Sequence, residues 1–245
     1  MKKKNFLLTL TTVAMVFACL SWAAADDKGS SIDKRIDSSA NVLSQVMATP
    51  DHAIPDKILD NAKCIAVVPS LVKIAIGFGG QHGHGVASCR TEHGWSAPLP
   101  IDITGGSWGL QLGGEATDLV MVFMGDRGVE HLISDHFKIG GDASASAGPV
   151  GRDTAADTDL EMKDKILTYS RSRGLFAGVD LSGTVVKQDK DETALLYGHV
   201  ERPDSILTGK VTPPAASHPF LSELRKMSDE AHGRVTASNT NSMSH

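Results

Sequence analysis

The residues of this 245-residue chain that could do chemistry fall into a few local patterns. Gly105-Gly106-Ser107-Trp108-Gly109 fits G-x-S-x-G, the sharp turn that exposes a nucleophilic serine between a strand and a helix. Here Leu110 and Leu112 alternate with Gly109 and Gln111, which continues a strand instead of starting a helix. His199 and His218 follow in the order a hydrolase would need, but neither has a recognisable acidic partner and no βα alternation surrounds them. An esterase using Ser107 is therefore only a remote alternative. His82-Gly83-His84 places two imidazoles on one face of a strand. Zinc needs a third and usually a fourth ligand with supporting partners, and only Glu92 and His93 stand near in sequence. The pair reads as surface histidines, and no metal site is expected. In Gly77-Phe78-Gly79-Gly80-Gln81-His82 a histidine stands where the dinucleotide fingerprint needs its last glycine. Gly209-Lys210 lacks the rest of a P-loop. No nucleotide and no cofactor is expected.

Six basic residues suit an anionic ligand better: Lys73, Arg90, Lys138, Arg152, Arg171 and Arg173, all at the ends of strand-like segments. Arg171 and Arg173, two apart on a strand, share a face, and paired guanidiniums match phosphate geometry better than lysines do. These cations sit in an acidic chain. Residues 1–25 read as a secretory signal: Lys2, Lys3 and Lys4, an apolar run over 6–18, then Ala23-Ala24-Ala25 as the cleavage site. Without them 21 cationic and 29 anionic side chains remain, a net charge of −8. Such a chain is not drawn as a whole to nucleic acid or to anionic membranes, so phosphate binding requires a local basic patch. With 12 aromatics in the full chain, nucleic-acid binding is not expected. Val16-Phe17-Ala18-Cys19 offers an alternative cut, with Cys19 as a lipidation candidate that would tether the domain to a membrane. The expected location is the periplasm or envelope. Of the remaining cysteines, Cys64 and Cys89 lie in strand-like runs, and export permits a disulfide between them; buried free thiols are the alternative.

The elements that must position these residues are mostly short strands. Over residues 30–47, Ile32, Ile36, Leu43, Val46 and Met47 recur at helical spacing, opposite a mixed-charge face of Asp33, Lys34, Asp37 and Gln45. A short helix is expected over 55–62, then strands over 64–68, 72–78, 82–90, 99–103, 107–112 and 119–124, with a helix over 126–134. Between Gly140 and Gly148, Ala143, Ala145 and Ala147 alternate with Ser144 and Ser146, a strand with a methyl-lined face over which something bulky must pack. Strands are expected again over 163–170 and 175–186, a solvated turn over 189–192 and a helix over 219–227. About 220 residues suffice for one sizeable core. The expected organisation is a signal peptide (1–25), an N-terminal amphipathic region (26–53), one domain (54–232) and a disordered tail (233–245). The expected fold class is α+β, with a strongly curved, mostly antiparallel sheet, barrel- or sandwich-like, packed by a few short helices, because strand glycines mark bends and bulges. Residues near Trp95, Trp108 and Phe176 serve the core or accept part of an acyl chain.

Several ordered motifs resemble the SYLF domain. They are Ala62-Lys63-Cys64-Ile65-Ala66-Val67-Val68-Pro69, Gly83-His84-Gly85-Val86, Gly94-Trp95-Ser96-Ala97-Pro98 and Gly113-Gly114-Glu115-Ala116-Thr117-Asp118-Leu119-Val120. Gly140-Gly141-Asp142-Ala143-Ser144, Ala147-Gly148-Pro149-Val150-Gly151-Arg152 and the segment Tyr169-Ser170-Arg171-Ser172-Arg173-Gly174-Leu175-Phe176-Ala177-Gly178-Val179 complete the likeness, over about residues 54–200. The resemblance implies a lipid-binding module without catalytic activity. Eukaryotic members bind phosphoinositides, yeast relatives also bind actin filaments, and some use an N-terminal amphipathic helix at the membrane. For an exported chain it implies anionic envelope phospholipids, with actin not expected as a partner. A structural or protein-interaction module of the envelope, without lipid specificity, is the other reading.

Overall fold

The computed structural model describes residues 31–48, 50–134, 136–151, 165–172, 175–176 and 181–242, the side chains at 52, 75–78, 107–113, 172, 175–176 and 241–242 aside. The expected signal segment, Cys19, Arg152, Arg173 and residues 243–245 lie outside that set.

Two long strands dominate. β1 (Cys64–Thr91) and β3 (Leu99–Phe123) pair antiparallel from Cys64↔Phe123 to Ala87↔Leu99. The three segments expected along each are therefore one continuous strand. Glycines and two register shifts, at Val68/Leu71 and Ile76/Phe78, bend the ribbon without ending it. A short β2 (Gly94–Trp95) folds back on the end of β1. β6 (Ile166–Ser172) extends the sheet beside residues 117–123 of β3, and β5 (Ala145–Ala147) joins it in parallel. β7 (Leu175–Phe176) returns on β6. At the other end of β3, residues 101–105 pair with β8 (Thr184–Gln188), which pairs in turn with β4 (His136–Lys138).

The sheet curls until the two ends of β1 lie side by side, running in opposite directions. Arg90 N–H donates to the Lys63 carbonyl at 2.7 Å, and Cys64 is bonded to Cys89 with their Cα atoms 3.9 Å apart. Gly85 permits this seam: a Cβ there would stand 2.2 Å from the Val67 oxygen. The result is the expected α+β fold, a half-barrel closed at one edge.

The curl makes two cores, and side-chain alternation assigns residues to each. Inside it lie Cys64, Ala66, Val68, Ala87, Leu99, Ile101, Ile103, Leu119, Met121, Phe123 and Val186. That core is closed by Leu132 of α3 (Asp126–Ile133) and by Ile206 and Leu207 of α5 (Pro203–Leu207). Outside it, Ile65, Val67, Val120, Val122, Leu167 and Tyr169 are covered by the helix over residues 31–48 (α1), α2 (Asp56–Asn61) and α6 (His218–Ser242). The helical spacing expected for α1 is realised as Ile32, Ile36, Leu43, Val46 and Met47, all buried in this outer core.

Three expectations are corrected. The tail expected to be disordered from residue 233 continues α6 to Ser242. Ala231 is fully buried, and the Arg234 guanidinium grips Asp56 on α2 with two bonds of 2.6 and 2.8 Å, contacts that a local reading of a Ser/Asn/Thr-rich segment does not reveal. The solvated turn expected at 189–192 is the start of α4 (Lys190–Tyr197), where the Asp189 side chain accepts from Glu192 N–H as an N-cap and Gly198, at φ 80°, ends the helix. The methyl-lined stretch forms strand only over Ala145–Ala147, after a tight turn in which the N–H groups of Gly141, Asp142 and Ala143 all point at the Lys138 carbonyl. Its alanine face turns inward, where Ala143 and Ala145 pack with Ile139 and Ile166 of the inner core, whereas Tyr169 lies on the other face and leaves no room for a Cβ on Gly148.

Candidate binding sites

Arg90 and Trp95 come together where β2 folds back on the end of β1. Their strands, β1 and β2, pair Arg90↔Trp95, and the guanidinium lies 4.9 Å from the centre of the indole ring. Arg90 is tied inward as well: Nε donates to the Ala62 carbonyl at 2.9 Å and Nη2 to the Leu59 carbonyl at 2.8 Å, capping the end of α2. Burial pulls its pKa down, and the carboxylates of Asp60 and Asp229 oppose that shift. The Trp95 indole N–H donates to Ser228 of α6 at 3.2 Å.

Beside this pair opens a groove of about 980 Å³. Its lining mixes apolar Trp95, Val129, Leu207, Val211 and Leu221 with polar Thr91, His93, Ser96 and Thr208, and among the described lining residues Lys63, Arg90 and Arg225 supply positive charge against the carboxylate of Glu92. Lys63 is half exposed and reaches Asp126 at 3.5 Å, an ion pair that water screens. Lys63, Leu207 and Arg225 were not legible as a group, because they arrive from the bend before β1, from α5 and from α6. His93 also lines this groove and does not join the other histidines.

The other basic residues are dispersed. Arg171, on β6, donates to Gln45 of α1 and pairs with Asp118 of β3 at 3.2 Å. Lys73 stands opposite Glu115 in the ribbon register. Lys138 is exposed on β4, its stem beside Gly141 at the edge of a second cleft of about 600 Å³ that Arg127, His131 and Lys165 help to line. The four described members of the basic set thus hold separate positions on three strands. Ser107 falls inside β3, paired with Gly79, and β3 runs on to Phe123. The strand-to-helix turn that a serine nucleophile needs is not formed there.

Histidine chemistry concentrates elsewhere. His82 and His84 are both exposed on one face of β1, their Nε2 atoms 2.9 Å apart. His84 Nδ1 lies 2.5 Å from Asp102 of β3, its cross-strand partner, and 3.8 Å from Asp189. Asp189 Oδ2 is held by Arg35 of α1 at 2.9 Å, and Lys187 stands 3.9 Å from Asp102. Burial opposes the Asp189 charge, but the Arg35 hydrogen bond, the Glu192 N–H and the charges of Arg35 and His84 together hold its pKa below the ordinary carboxylate value. Sequence reading found the two histidines and missed both carboxylates, which come from the next strand and from a helix cap.

A curled antiparallel half-barrel with helices over its outer face defines the class: a compact α+β module with an open groove. Residues 104–227 match the family described as Ysc84, Las17-binding protein actin regulator, and the chain belongs to that family, the one whose domain is called SYLF. Among curated proteins, SH3 domain-containing YSC84-like protein 1 of Bos taurus is 32% identical over 183 residues, 74% of this chain and 53% of its own length. Protein YSC84 of Saccharomyces cerevisiae is 34% identical over 175 residues, 70% of this chain and 37% of that protein. LAS seventeen-binding protein 3 of the same yeast is 33% identical over 175 residues, 70% of this chain and 38% of its own. The chain thus spans about half the length, or less, of these relatives.

Proposed function

We propose that this chain is an exported, non-catalytic module that binds anionic phospholipid. The observation that carries the reading is the groove beside Trp95, where apolar walls meet Lys63, Arg90 and Arg225. That pairing suits an amphiphile, since the walls take apolar surface out of water while the rim neutralises a phosphate. The SYLF resemblance supports the same ligand class. Among the described residues no helix is long and apolar enough to cross a membrane, so attachment in this reading runs through the groove, through acyl chains on Cys19, or through both. Envelope phospholipids, not actin, are the ligands an exported chain would meet.

Co-sedimentation with phosphatidylglycerol and phosphatidylcholine vesicles at low and high salt tests this. The expected result is binding to the anionic vesicles alone, weakened by salt, with Lys63→Glu and Arg225→Glu together lowering it at least tenfold. Equal binding to both vesicles, or none, overturns the reading. Loss in the Arg171→Ala, Arg173→Ala variant with none in the groove variant would move the headgroup to the end of β6. The relatives' names point instead to a protein partner, and a saturable complex with one purified envelope protein, without lipid preference, would favour that second reading.

A further inference from the structure

We propose that His82 and His84 form a binding site for a divalent transition metal of the zinc or copper class, coordinated through both Nε2 atoms. Residues two apart on β1 project the same way, and here both rings are exposed while Gln81, Gly83 and Gly85 between and around them are buried. The rings stand edge to face, 4.4 Å between centroids, which brings the two Nε2 atoms to 2.9 Å. Two nitrogens at such a distance are held together by a proton or by a metal. Tetrahedral zinc with Zn–N near 2.0–2.1 Å sets its imidazole nitrogens about 3.3 Å apart, so a small ring rotation exchanges the one for the other.

Asp102 supplies the outer support. It faces His84 across the β1–β3 ladder, and His84 Nδ1 lies 2.5 Å from its Oδ1. With the proton on Nδ1 donated to Asp102, His84 Nε2 is a bare acceptor pointing at His82. This is the carboxylate–histidine arrangement that fixes the tautomer and raises the basicity of metal-binding imidazoles. Without metal, His82 Nε2–H donates to His84 Nε2. On binding, His82 moves that proton to its Nδ1, and both Nε2 lone pairs meet the ion with no net proton release. Asp102 is itself anchored by Lys187 at 3.9 Å, and Asp189, 3.8 Å from His84, is engaged by Arg35. Those two cations lie on the carboxylate side of His84 and disfavour metal there, which leaves the Nε2 side. Water completes the coordination on the exposed side, and imidazole ligands select zinc, copper or nickel over magnesium and calcium.

Titration of the full chain with zinc chloride alone, followed by calorimetry and by the imidazole nitrogen resonances, tests the site. The expected result is one saturable equivalent, of the modest affinity that two imidazoles completed by water provide, that moves the Nε2 signals of both histidines, with His82→Gln and His84→Gln each losing at least tenfold in affinity. Asp102→Asn should lose about tenfold while the Nε2 ligation persists. His82 is exposed, so His82→Gln remains folded even if changes at His84 or Asp102 disturb the ladder. Unchanged zinc affinity in His82→Gln, ligation through Nδ1 of His84, or no zinc binding at all overturns the proposal.

Discussion

The two halves of β1 share one partner, β3, and differ in what covers them. Over residues 64–68 both faces are dry: Cys64, Ala66 and Val68 enter the inner core, while Ile65 and Val67 enter the outer core beneath the helices. Over residues 81–85 one face remains dry, and the other presents His82 and His84 to solvent. The difference lies in the helical cover. α1, α2 and α6 pack their apolar stripes over the first half, whereas beside the second half stand Asp189, at the start of α4, and its partner Arg35. An uninterrupted apolar run is what a doubly covered strand demands, and ionisable side chains are admitted only where the cover stops. In this molecule the polar cluster is therefore a consequence of where the helices end.

The sharpest way to break the contrast is to empty the doubly covered half. Phe123 is fully buried at the Cys64 end of the ladder, and Phe123→Ala should lower stability by about 3–5 kcal/mol in urea unfolding. His82→Ala, the exposed counterpart, should stay within about 0.5 kcal/mol. The disulfide fastens the two halves to each other, with 25 residues of separation between Cys64 and Cys89. The Cys64→Ala, Cys89→Ala double variant should lose about 3 kcal/mol if loop closure in the unfolded chain dominates. A loss much smaller than that would show that the bond reports the seam without holding it.

At the polar half the expected effects are smaller and depend on pH. Asp189→Ala removes the cap of α4, at about 1 kcal/mol, together with the Arg35 pair. Because its pKa is held below the ordinary carboxylate value in the folded chain, Asp189 stabilises at neutral pH. That contribution is complete above the unfolded pKa, near 4, and is lost as pH falls through the lower folded value. Urea unfolding midpoints from pH 7 down to pH 3 should fall less steeply in Asp189→Asn, which keeps a capping oxygen but cannot titrate.

What the sequence made legible follows the same division. Where cover is complete, period-2 and period-3.6 patterns speak directly, and the strands over 64–68 and 119–124, the helix ending at Met47 and the curved α+β sheet all emerge from them. The continuity of β1 and β3 was hidden because glycines that bend a strand look locally like glycines that end one. α6 beyond residue 233 was hidden because it is held by Arg234 on Asp56, 178 residues away in the chain. The candidate sites suffered most. Arg90 was visible, but not its carbonyl partners on α2; His82 and His84 were visible, but not Asp102 and Asp189. Ladder register and helix caps create those neighbours, and neither is written in local spacing.

Arg171 provides the finest test of the contrast, since it lies where the covered part of the sheet reaches solvent. It joins β6 to β3 through Asp118 and to α1 through Gln45, with both members of the ion pair about a quarter exposed. A pair so placed should contribute no more than about 1 kcal/mol, screened by salt. Arg171→Ala should therefore shift the urea midpoint slightly at low salt and hardly at all at high salt. A loss near the size of a core truncation would instead mean that the α1 docking rests on this arginine and not on Ile32, Ile36, Leu43 and Val46. The dry cover would then depend on a polar clasp, and the boundary between the two halves of the sheet would be set by charge as much as by burial.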